Sequence, residues 1–177
     1  LQGGVGVGVV TRPGLPVSVG EPAINPGPRG QIKQAVFEGL AGHPGLETSL
    51  VTVHITIPEG ERLAAKTLNP RLGIEGGLSI LGTRGTVKPF SHEAFQTTIA
   101  QGFASAQSQG LAEVGLVTGG RSERLLRTLL PTWPEQAFIP VADFFGPAMR
   151  MAGEHGMKRV VWGLFPGKLV KQAQGQA

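Results

Sequence analysis

The sequence has no cysteine, no tyrosine and a single aspartate, and its aromatics are limited to eight phenylalanines and two tryptophans. Without cysteine, a disulfide framework, a thiolate zinc site and a cysteine nucleophile are all excluded within this stretch. Long hydrophobic runs are missing too. The longest, Leu50 to Ile57 and Leu111 to Val117, fall far short of the roughly 20 apolar residues that cross a bilayer, so no membrane partner is expected. The opening Leu1-Gln2-Gly3-Gly4-Val5 carries neither an initiator methionine nor a basic segment ahead of an apolar one. It is therefore not a signal peptide and reads as a cut end, with the cytoplasm as the expected compartment.

What the chain does have is backbone punctuation: 28 glycines and 14 prolines among 177 residues, beside 40% hydrophobic residues. That composition predicts a loop-rich globular protein with enough apolar surface for one domain or two small ones. A net charge of +4 with a pI near 10.0 favours acidic partners, whether nucleic acid, phosphates or a polycarboxylate. The basic residues are scattered. Their one dense group, Arg121, Arg124 and Arg127, recurs at helical spacing and reads as a solvated helix face.

Along the chain, Val5, Val7 and Val9 alternate with Gly4, Gly6 and Gly8, the pattern of a short strand bare enough for another backbone or a ligand to approach. Ile32, Val36, Phe37 and Leu40 mark a helix face stopped by Gly42, and Val51, Val53, Ile55 and Ile57 mark a half-buried strand with His54 on its polar side. Residues 69 to 87 are dense in glycine and read as turns and short strands. Ser91 signals the N-cap of a helix running to about Gln109. Beyond it the pattern changes: apolar runs at 111–117, 138–141 and 159–162 alternate with helical periods at 123–130, 144–154 and 167–174, which implies parallel strands with helical crossovers. A boundary near residues 88 to 91 follows. The expectation is an α+β first domain, partial, over 1–90, and an α/β domain with a short parallel sheet over 91–177, truncated at its C-terminal end.

Two strand-to-helix turns carry the chemistry of the second part: Thr118-Gly119-Gly120-Arg121-Ser122-Glu123 and Gly163-Leu164-Phe165-Pro166-Gly167-Lys168. Ligands of open parallel sheets bind at the carboxyl ends of strands, and bare N–H groups at a helix start favour an anionic or strongly polar group. The glycines could equally serve tight turns alone. Ser122 is expected to cap the helix that follows it. Neither turn matches the P-loop or the dinucleotide fingerprint, which disfavours phosphate-ester cofactors and leaves room for one without phosphate, such as S-adenosylmethionine. Asp143 reads as a helix N-cap, or as a group facing the crevice from a strand end. The four histidines share no ligand spacing, so no metal site is expected. Asn25 and Asn69, the only asparagines, each precede proline and are either turn formers or amides aimed at a polar ligand.

Longer strings point to a family. Thr11-Arg12-Pro13-Gly14-Leu15-Pro16-Val17, Gly20-Glu21-Pro22-Ala23-Ile24-Asn25-Pro26, Lys66-Thr67-Leu68-Asn69-Pro70-Arg71-Leu72-Gly73-Ile74 and Gly76-Gly77-Leu78-Ser79-Ile80-Leu81-Gly82-Thr83 resemble the cobalt-precorrin-5B C-1-methyltransferase family of anaerobic cobalamin biosynthesis. With Gly163 and Pro166-Gly167-Lys168-Leu169-Val170-Lys171 the resemblance extends over nearly the whole chain, which looks like a fragment lacking N- and C-terminal parts. It implies an α+β domain followed by a Rossmann-like domain with a parallel sheet of order 2-1-3-4. It also implies methyl transfer from S-adenosylmethionine to carbon 1 of a cobalt-bound, ring-contracted tetrapyrrole whose carboxylates suit a basic protein.

On that resemblance, Thr118, Gly119, Gly120 and Glu123 are assigned to the cofactor, with Gly163, Gly167 and Lys168 on the opposite wall. Asn25, Asn69, Arg71 and Arg84 are assigned to substrate carboxylates or to the cleft between domains, Arg being suited to bidentate pairing. No catalytic residue is assigned. Two other readings compete. A nucleic-acid-binding module would need aromatics interleaved with basic residues, and none alternates with Arg or Lys in a strand. An NADPH-dependent precorrin reductase would need the missing dinucleotide fingerprint.

Overall fold

Bare backbone, more than side-chain bulk, brings the amino-terminal strands together. The structure, a computed structural model, describes residues 1–41, 43, 45, 50–82 and 91–175, and these divide into two units, Leu1–Pro89 and Phe90–Ala177.

In the first unit β1 (Gln2–Gly3), β2 (Gly6–Val7) and β3 (Val9–Val10) precede helix α1 (Pro26–Ala41), β4 (His54–Ile55), the short helices α2 (Gly60–Ala64) and α3 (Asn69–Leu72), β5 (Ile74–Glu75) and β6 (Gly77–Leu78). β1 runs parallel to β4, β2 parallel to β6, and β3 antiparallel to β5. Gly6 has φ +77°, and a Cβ there would lie 1.9 Å from the Ile57 carbonyl oxygen; on Gly60 or Gly77 it would lie 2.0 or 2.1 Å from the Gly6 oxygen. The alternation of valine with glycine thus permits backbone contacts that any side chain would block. Around them Val10, Val17, Ala23 and Ile74 form a small core.

Only His54 and Ile55 of the Leu50–Ile57 run form ladder, and the expected alternation holds from Val53 on: Val53, Ile55 and Ile57 are half-buried while His54 and Thr56 are exposed, whereas Val51, expected on the buried side, is 43% exposed. In α1 the expected apolar face is thinly covered, with Phe37 67% exposed. Its expected stop at Gly42 lies outside the described residues.

The second unit alternates strands and helices: α4 (His92–Ser108), β7 (Glu113–Val117), α5 (Gly120–Leu129), β8 (Phe138–Pro140), α6 (Phe145–Glu154), β9 (Arg159–Gly163) and α7 (Pro166–Ala173). Its three strands are parallel in the order β8-β7-β9. Ser91 caps α4, its hydroxyl accepting from the Ala94 N–H at 3.3 Å. Alternate residues of β7 face opposite layers. Val114 and Leu116 pack with Ile139 and Val141 against Ile99, Phe103 and Ala106 of α4 and Ala148 and Ala152 of α6. Val117 packs on the other face with Leu126 of α5 and Phe138.

That second layer is close because two strand residues lack side chains. A Cβ on Gly115 would lie 2.9 Å from Leu126 Cδ2, and one on Gly163 would lie 3.0 Å from the same atom and 3.2 Å from Val117 Cγ1. Among the described residues no helix is long and apolar enough to cross a membrane.

Two substitutions test this packing. Gly163→Ala forces Leu126 or the helix outward and should cost about 1–3 kcal/mol. Phe103→Ala empties a fully buried site and should cost about 3–5 kcal/mol. Urea unfolding of both variants checks the values, and an unchanged midpoint for Gly163→Ala would contradict the close approach of α5.

Candidate functional site

The three strands of the second unit end at one level. Val117 stands opposite Pro140 on one side and Gly163 on the other, and the Val141 N–H donates to the Val117 carbonyl at 2.8 Å. The loops leaving β7, β8 and β9 therefore start side by side at the carboxyl edge of the sheet. This brings Thr118, Gly119, Gly120 and Glu123 into one neighbourhood with Gly163, Gly167 and Lys168.

Ser122 organises the first turn, though not as the expected cap residue of the helix after it. The helix begins two residues earlier, at Gly120, and Ser122 sits buried inside it. Its hydroxyl oxygen accepts from the backbone N–H groups of Thr118 and Gly119, both at 3.1 Å, and its O–H donates to the Gly119 carbonyl at 2.8 Å. The Thr118 N–H also reaches the Gly163 carbonyl at 3.4 Å, tying the two turns together. Two of the N–H groups that sequence reasoning left bare are thus occupied, and the open ones among the described residues begin at Gly120.

The glycines of this edge fall into two kinds. Gly163 is required by packing against Leu126. At Gly119, Gly120 and Gly167, by contrast, an added Cβ would meet nothing within 4 Å, and Gly119 has an extended φ of 166° that any residue adopts. Nothing inside the fold requires a bare backbone at those three positions.

Both turns also line one hollow of about 100 Å³, formed by Ser122, Leu125, Leu126 and Leu129 of α5 with Trp162, Gly163, Leu164 and Phe165. Its walls are mostly apolar, and the Arg121 guanidinium lies 5.4 Å from the centre of the Phe165 ring. The hollow is smaller than the ~300–1,000 Å³ usual for a whole ligand, so it suits one apolar part of a molecule lying along the edge.

The charged members of the set are engaged. Glu123, its side chain only 15% exposed, pairs with Arg127 one helical turn on at 3.7 Å, and Arg127 also meets Glu135 at 3.2 Å. Arg121 and Arg124 are exposed, as expected of a solvated helix face, whereas Arg127 is half-buried and paired. The Lys168 ammonium donates to both oxygens of Asp143 at 2.5 and 2.6 Å. Asp143 is accordingly not the N-cap of α6. Phe144 holds that position, with no side-chain cap bond, and its ring stacks on Phe95 at 5.1 Å.

Of the residues assigned to substrate, all lie in the first unit. Asn69 is 8% exposed and uses its amide internally, donating to the Gly77 carbonyl at 3.3 Å and accepting from the Ser79 hydroxyl at 3.2 Å. Asn25 joins its backbone to Ile80 and Arg29. Arg71 lies in the last turn of α3, and Arg84 lies outside the described residues. Sequence reasoning passed over Arg12, whose stem covers Gly73 and whose Nη1 is buried without a partner among the described residues. Its signal was its place in a rare Thr-Arg-Pro-Gly string.

The family model described as CbiD matches residues 1–89. Two relatives named cobalt-precorrin-5B C(1)-methyltransferase are similar over 99% of this chain: one from Nitratidesulfovibrio vulgaris at 54% identity and one from Thermus thermophilus at 52%. The chain spans 44% and 46% of those two relatives, somewhat under half their length. A solved cobalamin biosynthesis protein (cbiD) from Archaeoglobus fulgidus is 27% identical over 98% of this chain and 52% of that one, with a TM-score of 0.41. With its first 89 residues matched by the family model and its whole length aligned to curated relatives, the chain belongs to the CbiD family.

Proposed function

We propose that this protein takes part in the S-adenosylmethionine-dependent methylation of carbon 1 of cobalt-precorrin-5B, and that the carboxyl edge of the second unit's sheet holds the methyl donor. The observation that carries the reading is family membership together with the shared name of relatives at about half identity. The local geometry supports the placement. Three glycines with open space beside them let a ligand approach the backbone, and the hollow formed by α5 with residues 162–165 is lined by aliphatic and aromatic side chains suited to an adenine ring.

In this reading the second unit is a Rossmann-like domain whose described strands give the 2-1-3 part of its order, and the first is a partial α+β domain. When bound, S-adenosylmethionine supplies an electrophilic methyl group: the C–S bond breaks as a carbon–carbon bond forms at the ring, and the thioether leaves. The chain's residues then align donor and acceptor and keep water out, and no side-chain nucleophile is needed. Thr118, Gly119 and Gly120 hold the amino-acid part of the donor. Glu123 and Arg127 stiffen the first turn of α5, and Gly167 opens the opposite wall. Asn25 and Arg71 face the task of holding substrate carboxylates, for which a chain of net charge +4 is suited, while Asn69 shapes its loop from within. The fingerprint that an NADPH reductase needs is absent, which leaves the donor reading ahead of it.

Calorimetric titration with S-adenosylmethionine and NADPH in parallel tests the assignment. Saturable binding of the first is expected, and binding of NADPH alone would overturn it. A second outcome is specific to the open glycines. Gly120→Ala should raise stability by about 0.5–1 kcal/mol, because alanine favours the helix. It should also weaken donor binding by about tenfold, equivalent to roughly 1.4 kcal/mol. Gain of stability with unchanged affinity would remove the turn from the donor site.

A further inference from the structure

Arg12 carries a charge for which the described fold holds no counterpart. Its Nη1 is shut off from water and meets no acceptor, and among the described residues its guanidinium makes no hydrogen bond or ion pair. Arginine stays charged at any working pH and has several N–H donors to satisfy. A buried donor without an acceptor costs free energy, the more so when charged, so such a group in a folded protein calls for an explanation.

The side chain is nonetheless held in place. Arg12 precedes Pro13, which favours an extended backbone at Arg12. Thr11, one residue earlier, donates twice to the Gly73 carbonyl, from its N–H at 2.7 Å and from its hydroxyl at 3.0 Å. Gly73 has φ +78°, and a Cβ there would lie 2.7, 2.8 and 3.0 Å from Cβ, Cγ and Cδ of Arg12. The stem therefore lies flat along bare backbone. Glu75, the acid of the paired strand β5, turns to Thr11 instead, accepting from its hydroxyl at 3.2 Å. Arg12 as a whole is half-buried, so its head stays within reach of a ligand at the surface.

A cation fixed by its stem, partly out of water and lacking a counter-charge, is arranged to receive an anion. Holding the stem beforehand lowers the rotamer entropy that binding would otherwise cost, and a partly dry site strengthens the attraction between opposite charges. The planar guanidinium matches carboxylate and phosphate alike, and the tetrapyrrole of the reading above supplies carboxylates. We propose that Arg12 binds one carboxylate of the tetrapyrrole substrate, with Thr11 and Gly73 as the positioning residues that hold its stem. The inference rests on the substrate of that reading and is independent of where the methyl donor sits.

The test measures binding of cobalt-precorrin-5B and, separately, of S-adenosylmethionine by calorimetry on the wild-type protein, Arg12→Met and Arg12→Lys, with thermal melts of each protein free of ligand. Arg12→Met keeps most of the stem and removes the unpaired donors, so its melting temperature should equal or exceed that of wild type. It should bind cobalt-precorrin-5B about 10- to 100-fold more weakly, the range for a hydrogen bond to a charged group, and bind S-adenosylmethionine unchanged. Arg12→Lys, which keeps the charge without the planar fork, should fall between the two. An Arg12→Met protein that fails to fold or melts several degrees lower would make the guanidinium an internal tie and overturn the inference. Unchanged affinity for cobalt-precorrin-5B, or an equal or greater loss for S-adenosylmethionine, overturns it as well. In each of these cases a wild type that binds both ligands leaves the functional reading standing. Failure of wild type to bind cobalt-precorrin-5B overturns that reading and this inference with it.

Discussion

The level ends of three parallel strands are the constraint from which the second unit's edge follows. Register between β7 and its two neighbours puts Val117, Pro140 and Gly163 in line, so three loops leave the sheet together and their side chains can meet. Had β8 or β9 slipped by one residue, its faces would have exchanged layers, burying what now faces α5 and separating Lys168 from Asp143. The tight core of α4, β7 and α6 holds that register, and the edge inherits its precision.

Glycine does two different jobs in this chain, and only coordinates separate them. Gly6, Gly60, Gly77, Gly115 and Gly163 are places where another backbone or Leu126 already occupies the space of a side chain. Replacing them strains the fold. Gly119, Gly120 and Gly167 border open space, and two of them lie in helices, where glycine lowers stability relative to alanine. In the proposed reading, the open space beside these three is left for the ligand.

Much of the second unit was legible from periodicity, because its strands and helices are long enough for spacing of two and of three to four to show. Ser91 announced α4, and the apolar runs at 111–117, 138–141 and 159–162 became β7, β8 and β9. The first unit was harder. Its strands are two residues long and held by backbone approach, which leaves only the valine–glycine alternation as a trace. At the site, sequence position assigned capping roles to Ser122 and Asp143 by their type. The fold gave each a different partner: Ser122 bonds back to Thr118 and Gly119, and Asp143 bonds to Lys168 of α7, the helix that follows a strand two places across the sheet. The Ser122 contacts lie three and four residues back along the chain, whereas Asp143 and Lys168 meet only after β7 has paired on both sides.

The central claim is that open glycines at a level strand edge mark where the methyl donor sits. A crystal structure of the protein with S-adenosylhomocysteine tests it most directly. The account predicts density along the carboxyl edge, with the amino-acid tail over Gly119 and Gly120 and the ring against Leu125, Trp162 and Phe165. Density at any other surface, with the Thr118–Gly120 turn left bare, would contradict it.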